Sequence, residues 1–241
     1  MILCIIPARS GSKGLPGKHM KLINGKPVIG YTIDTAKKVK LLDRIVVSSN
    51  DREILSYCDQ NDVEIIERPD RYATDKSPIN DTLSHAVKVI EKQCSIDFVV
   101  WLQANVPIRK NQHITEIIDR LINSSADSVI SLSRVGWPVE KALGLANDFF
   151  CYPYFNQPPI AMNRQEYHES FYPNGSIYAI RKKSLMRKKR PSNPYNYFLG
   201  EKILGYVMNK YEYGIEIDNE QDLKLCKLYI NSKVNKRNST L

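Results

Sequence analysis

The sequence predicts an α/β protein built on a doubly wound, mostly parallel sheet. Short, nearly all-apolar runs rich in β-branched residues alternate with segments of helical periodicity through the first half of the chain. Polar clusters follow three of those runs, as expected where a parallel sheet gathers a ligand site beyond its carboxyl edge. A length of 241 residues with 42% hydrophobic content suffices for one large domain with a sizeable core.

The first strand is predicted at residues 2–6, and it empties into the loop PARSGSKGLPGK at 7–18. That loop holds three glycines, two serines and three cations. Glycine lets backbone N–H groups approach a ligand closely, and successive N–H groups form a concave anion site. Arg9, Lys13 and Lys18 add full positive charges. A nucleotide polyphosphate explains this combination best. The pattern is neither GxxxxGK[ST] nor GxGxxG, so it is not an ordinary P-loop or dinucleotide fingerprint. A flexible basic loop is the alternative.

Val28, Ile29, Ile33, Ala36 and Val39 have helical spacing. Strands are predicted at 44–48, 63–65, 98–102 and 128–132. Leu83, Val87 and Ile90 mark one intervening helix, and Ile114, Ile117, Ile118 and Leu121 another. This order puts the first loop, the cluster at 49–51 and the cluster Gln103, Ala104 and Asn105 on one rim. The alternation breaks after Ser133. Residues 134–175 contain five prolines and many aromatics, including Trp137, Phe149, Phe150, Tyr152 and Tyr154. They predict an irregular arm and, if it is exposed, a dimer contact. Strands are predicted again at 176–180, 203–208 and around 215–217. A helix at 220–230 follows Asp218 and Asn219, either of which could cap it. The expected organisation is one domain over 1–231 with the arm inserted, then a basic tail at 232–241.

Composition narrows the function classes. The five cysteines are far apart and form no CxxC pair, which argues against a disulfide framework or a zinc site. No apolar run approaches the roughly 20 residues of a membrane span, and no secretory signal is visible, so a cytoplasmic protein is expected. The net charge of +9 favours anionic partners. The run RKKSLMRKKR at 181–190 could bind nucleic acid or form a solvated surface. No zinc finger, RNP-type pattern or heptad-linked basic region accompanies it, and neither a nucleic-acid nor a membrane partner is expected.

These blocks resemble the acylneuraminate cytidylyltransferase family, the CMP-sialic acid synthetases and relatives that activate Kdo, legionaminic or pseudaminic acid. The likeness runs nearly end to end: IPARSGSKGLPGK at 6–18, VVSSND at 46–51, RPDRYATDKSP at 68–78, LQANVPIR at 102–109, NRQ at 163–165, YPNGSIYAI at 172–180 and IEIDNEQDL at 215–223. It implies a Rossmann-like nucleotidyltransferase fold with a small dimerisation arm, a homodimer, and transfer of CMP from CTP to a sugar acid with release of pyrophosphate. It implies that Arg9 and Lys18 act on the triphosphate, with Ala8, Ser10, Gly11, Ser12, Lys13, Gly14 and His19 around it. His19 stands where the family usually has asparagine. Arg68 and the stretch 73–77, with Ser77, would lie beside the base. Gln103, Asn105, Lys141, Arg164, Gln165, Asn174 and Tyr178 would meet the sugar, and Glu216 with Asp218 would hold a divalent cation, Mg2+.

Two departures fall on the acceptor side. The family's LQPTSPLR reads LQANVPIR here, replacing two hydroxyls by Asn105 and Val106. Glu140 occupies the column where the family tends to carry lysine, with Lys141 one residue late. A carboxylate there would repel an acidic substrate, so a variant sugar acid is expected rather than ordinary N-acetylneuraminate. Two other readings stay open: a nucleotidyltransferase acting on a sugar 1-phosphate or other phosphorylated acceptor, and a non-catalytic nucleotide or RNA binder.

Overall fold

The computed structural model describes residues 1–11, 13–147, 149–155, 168–187 and 198–238. Ser12, Arg164 and Gln165 lie outside the described residues.

Apolar alternation along the first strand sets the architecture. In β1 (Ile2–Pro7), Ile2, Cys4 and Ile6 enter one buried cluster, while Leu3 and Ile5 enter another on the opposite face. A strand apolar at every position needs a layer on both sides. Helices α1 (Val28–Lys37), α2 (Arg52–Gln60), α4 (Asn111–Ile122) and α6 (Glu220–Asn238) supply buried residues to the first cluster. The second is covered by α3 (Ile79–Ile90) and the short α5 (Lys182–Leu185). Cys4 and Cys58 are small core residues whose thiols burial pushes up to about 12.

The other strands of the main sheet are β4 (Arg44–Ser49), β5 (Glu64–Glu67), β6 (Phe98–Leu102), β7 (Ser128–Arg134), β10 (Phe171–Arg181) and β11 (Ile203–Val207). They form a seven-stranded sheet in the order β11-β7-β10-β6-β1-β4-β5. β10 pairs antiparallel with both β6 and β7, and the remaining pairings are parallel. The start of β10 therefore shares a rim with the carboxyl ends of the other strands. Its pairing with β7 is irregular between Pro173 and Tyr178, where Gly175 takes a φ of +70°. A two-residue hairpin joins β2 (Leu22–Ile23) to β3 (Lys26–Pro27). Asn24 and Gly25 supply the positive φ values that such a turn requires.

Two expectations are corrected, one further helix is added and the open choice of cap is settled. Helix α2 carries no long apolar stripe and was not anticipated; Asp51 Oδ1 caps it by accepting the Glu53 N–H at 3.0 Å. Residues 215–217 form no strand. They follow a 3-10 turn at Tyr211–Gly214, yet burial still alternates, with Ile215 and Ile217 inward. Helix α6 runs to Asn238, past the point where apolar periodicity stops and into the presumed tail. At its start, Asn219 Oδ1 accepts the N–H groups of Gln221 and Asp222, so Asn219 is the cap and Asp218 is not.

The arm at 134–155 carries the β8 (Leu143–Leu145) and β9 (Cys151–Pro153) hairpin. Phe149, Phe150, Tyr152 and Tyr154 are exposed on it. The basic run turns inward at its start. Arg181 donates to the carbonyls of Leu121, Ser124 and Ala126 at 2.7–2.8 Å, closing the end of α4. Lys182 pairs with Glu91, and Arg187 with Glu201. No described helix is long and apolar enough to cross a membrane.

Replacing Arg181 by methionine strands three carbonyls, and urea denaturation should show a loss of about 2–4 kcal/mol. An unchanged midpoint would contradict this anchoring role.

Candidate active site

A cleft of about 430 Å³ opens where β1, β5 and β6 end. β1 delivers the glycine-rich loop to it. Asn50, just after β4, accepts the Ser10 N–H at 3.0 Å and donates to Asp70 Oδ1 at 3.1 Å. The loop is thereby fastened to the next two strands. Gly11 and Gly17 take φ values of +74° and +64°, which disfavour any side chain. Gly14 is required for another reason: a Cβ there would lie 2.4 Å from the Asp218 carbonyl oxygen. The N-terminal loop and the 215–218 segment thus meet through bare backbone.

Cations dominate one wall. Lys18 Nζ lies 2.6 Å from Asp218 Oδ1. Arg9 and Lys13 both pair with Asp75. Behind them Arg68 is only 4% exposed. Its guanidinium donates to Ser48 O, its Nε has no hydrogen-bond partner, and it makes no ion pair among the described residues. Burial, then the neighbouring Arg9, lowers its pKa to about 10. A buried charge without a counter-ion is costly, and an arriving anion would offset that cost. His19 is also buried, and its Nδ1 lacks a partner. Burial first, then the charges of Lys18, Arg68 and Arg9, pull its pKa to about 3. The ring is therefore neutral at neutral pH and can still donate a hydrogen bond.

The facing wall is acidic. Asn105 Nδ2 lies 3.1 Å from Glu216 Oε1 and 3.2 Å from Asp218 Oδ1. The same residue is clamped to Ile217, whose N–H donates to Asn105 O at 2.9 Å. Both carboxylates therefore converge on one amide without a β ladder. Burial raises the Glu216 pKa; the Asn105 hydrogen bond opposes this and Asp218 adds to it. Two hard carboxylates beside a phosphate-sized space suit a magnesium ion, which keeps several waters and usually takes only one or two protein carboxylates. No cluster of three or more His, Cys, Asp or Glu ligands occurs among the described residues. Glu216 and Asp218 are the two carboxylates of the cleft that could hold such an ion.

Of the other residues expected at the site, Gln103 lines the cleft. It packs against Gly175, where a Cβ would come within 3.0 Å of its amide. Ala8 is buried at the root of the loop. Ser77 does not line the cleft; its hydroxyl closes the 74–77 turn instead. Asn174 is buried among Ser131, Ser133 and Met208, where it fixes the irregular start of β10. Tyr178 is a core residue stacked on Trp101 at 4.1 Å. Lys141 stands in a 3-10 turn of the arm, outside the cleft. Sequence reasoning places the stretches 49–51 and 73–77 at the site without giving Asn50 or Asp75 a role, and it singles out no role for Arg109. Arg109 is buried, with burial lowering its pKa to about 9, and it donates to Gln103 O and Val106 O. It thereby shapes the loop that presents Gln103 and Asn105. The arginine ending LQANVPIR was its signal.

A family model described as Cytidylyltransferase matches residues 3–229. The chain belongs to that family. It is 30% identical to an N-acylneuraminate cytidylyltransferase of Streptococcus agalactiae serotype V, over 91% of this chain and 51% of that protein. It is 24% identical to a pseudaminic acid cytidylyltransferase of Campylobacter jejuni, over 94% of each chain. With a CMP-N,N'-diacetyllegionaminic acid synthase of Legionella pneumophila the identity is 28%, over 93% of this chain and 94% of that one. The chain spans about half the length of the N-acylneuraminate relatives it matches first. The solved structure of a CMP:2-keto-3-deoxy-manno-octonic acid synthetase complexed with CTP matches with a TM-score of 0.71 at 18% identity, covering 96% of this chain and 99% of that one. A 4-diphosphocytidyl-2C-methyl-D-erythritol synthase from Anaerococcus prevotii matches with a TM-score of 0.65 at 17% identity, covering 95% and 98%. These likenesses bear on the fold, a Rossmann-like α/β nucleotidyltransferase fold as expected.

The raised pKa of Glu216 has a testable consequence. The folded state holds that proton more firmly than the unfolded chain, so the Glu216 contribution to stability falls as pH rises through the raised pKa. In metal-free buffer at pH 7, Glu216→Gln should raise the melting temperature by about 2 °C, and the gain should vanish at pH 4. A gain of equal size at both pH values, or none at pH 7, would contradict the assignment.

Proposed function

We propose that this chain activates a nonulosonic, sialic acid-like sugar acid with CTP, giving a CMP-sugar and pyrophosphate. The observation that carries the reading is the cleft itself: a glycine-rich loop with Arg9, Lys13, Lys18 and the unpaired Arg68 faces Glu216 and Asp218 across a nucleotide-sized space. Family membership supports cytidylyl transfer, and the relatives' names support sugar-acid acceptors.

In this mechanism an acceptor hydroxyl attacks the α-phosphorus, and the bond to the bridging oxygen of the pyrophosphate breaks. Alignment and charge neutralisation are the main demands of such a step. Loop N–H groups and Arg9 hold phosphate oxygens, and Lys18 stabilises the leaving pyrophosphate, with the neutral His19 beside them. Magnesium held by Asp218 and Glu216 would neutralise further phosphate charge. Arg68 lies behind these phosphate-binding cations, the 73–77 turn meets Arg9 and Lys13 through Asp75, and Gln103 faces the acceptor. Asn105 acts through the acidic pair, a different role from the sugar contact that the resemblance implied.

The acceptor in this reading is a modified acid such as legionaminic or pseudaminic acid. Asn105 lines the cleft where the family commonly has a hydroxyl, while Val106 is fully buried and does not line it. The protein works as a homodimer in the cytoplasm. Exposed Phe149, Phe150 and Tyr152 on the arm favour an interface, and five free cysteines suit a reducing compartment.

A pyrophosphate-release assay with CTP, magnesium and a panel of sugar acids tests the proposal. Arg9→Ala and Asp218→Ala should each lower turnover by about 100-fold or more. Full activity in both variants, or preference for a sugar 1-phosphate, would overturn it. Sedimentation of the wild-type protein should give a dimer, and Phe149→Asp with Phe150→Asp should shift it toward monomer; a wild-type monomer would remove the arm's assigned role.

A further inference from the structure

The segment between β5 and α3 carries a carboxylate for which nucleotide transfer has no evident use. Ser77 closes a turn at its tip. The Ser77 N–H donates to Thr74 O, and its hydroxyl accepts the Thr74 N–H at 3.2 Å and donates to Arg71 O at 2.9 Å. Asp75 stands at the apex of that turn. Its two oxygens are divided between two cations of the glycine-rich loop, with Oδ1 2.6 Å from Arg9 Nη2 and Oδ2 2.7 Å from Lys13 Nζ. Arg9 Nη1 also donates to Ala73 O at 3.4 Å. Lys13 and then Arg9, by hydrogen bonding, hold the Asp75 carboxyl below its ordinary range. An oxyanion that gives one oxygen to each of two cations occupies them as a phosphate would.

We propose that Asp75 is a resident counter-ion of Arg9 and Lys13, a positioning residue that competes with polyphosphate for both. It weakens nucleotide and pyrophosphate binding and speeds the departure of pyrophosphate. The proposal rests on the nucleotide reading of the cleft. Exposure makes the exchange easy. The Lys13 side chain is 83% and that of Asp75 37% exposed, and ion pairs in solvent are individually weak. A polyphosphate brings several charges and stronger charge-assisted bonds. Before it arrives, the clamp restrains two flexible cations over the cleft and lowers their mutual repulsion with Arg68. After transfer, the carboxylate is positioned by its rigid turn to recapture them.

The test is calorimetric titration of the full chain with inorganic pyrophosphate, for the wild type, Asp75→Asn, Asp75→Glu and Arg9→Ala. Asp75→Asn should bind about 3- to 10-fold more tightly at low salt, and the gap should close near about 0.5 M salt. Asp75→Glu, which keeps the charge, should stay close to wild type. In steady state, Asp75→Asn should lower both the KM for CTP and the inhibition constant for pyrophosphate. If Arg9→Ala weakens binding while Asp75→Asn binds no better than wild type, the counter-ion role is overturned and the phosphate site stands. If wild type binds no pyrophosphate, or Arg9→Ala binds it equally well, the phosphate reading falls and this proposal falls with it.

Discussion

The interaction on which the site depends is the crowding of positive charge against the end of β1. Arg68 is buried with no carboxylate partner among the described residues, next to Arg9 and the neutral His19. Packing such a group has no structural reward. The Ser48 carbonyl solvates it only in part. The cleft is preorganised for an anion it must recruit, which is the arrangement that electrostatic stabilisation of a charged transition state calls for.

That charge stays in place because the scaffold around it is rigid. β1 is apolar on both faces and buried inside the sheet, between β6 and β4. Its carboxyl end is then tied sideways, through Asn50 to the loop and through Gly14 to the Asp218 backbone. The 215–218 segment is tied in turn to Asn105, at the end of β6. Three distant stretches of sequence thus converge through backbone contacts, and the side chains at their ends face one another across a fixed gap. Ground-state ion pairs, Lys18 with Asp218 and Arg9 with Asp75, balance most of the charge until substrate exchanges with it.

Much of this was legible in the sequence. Apolar runs with no alternation announced a sheet covered on both faces, and the glycine and cation pattern marked the loop. The acidic pair was found for a partly mistaken reason. Alternation placed Glu216 and Asp218 on one side, but the strand assumed there does not exist, because Asn105 supplies the bonds that a neighbouring strand would have made. The resemblance makes Asn174 a sugar contact, whereas tertiary packing uses it as a buried polar anchor; Asn105 lines the cleft and also holds the acidic pair. A polar residue that completes the hydrogen bonding of a buried loop looks the same in sequence as one that meets a ligand. Tyr178 illustrates the same limit, since only the fold shows its ring stacked on Trp101. The sequence places the 73–77 stretch at the site but not the role of Asp75, which depends on two cations more than sixty residues away in the chain.

The most direct test of the central claim is a crystal structure of the protein with CTP and magnesium. The account predicts the triphosphate on the backbone N–H groups of residues 10–14, with Arg9 and Lys18 on its oxygens and Asp218 beside the metal. A nucleotide bound away from that loop, leaving Arg68 without an anion, would contradict it.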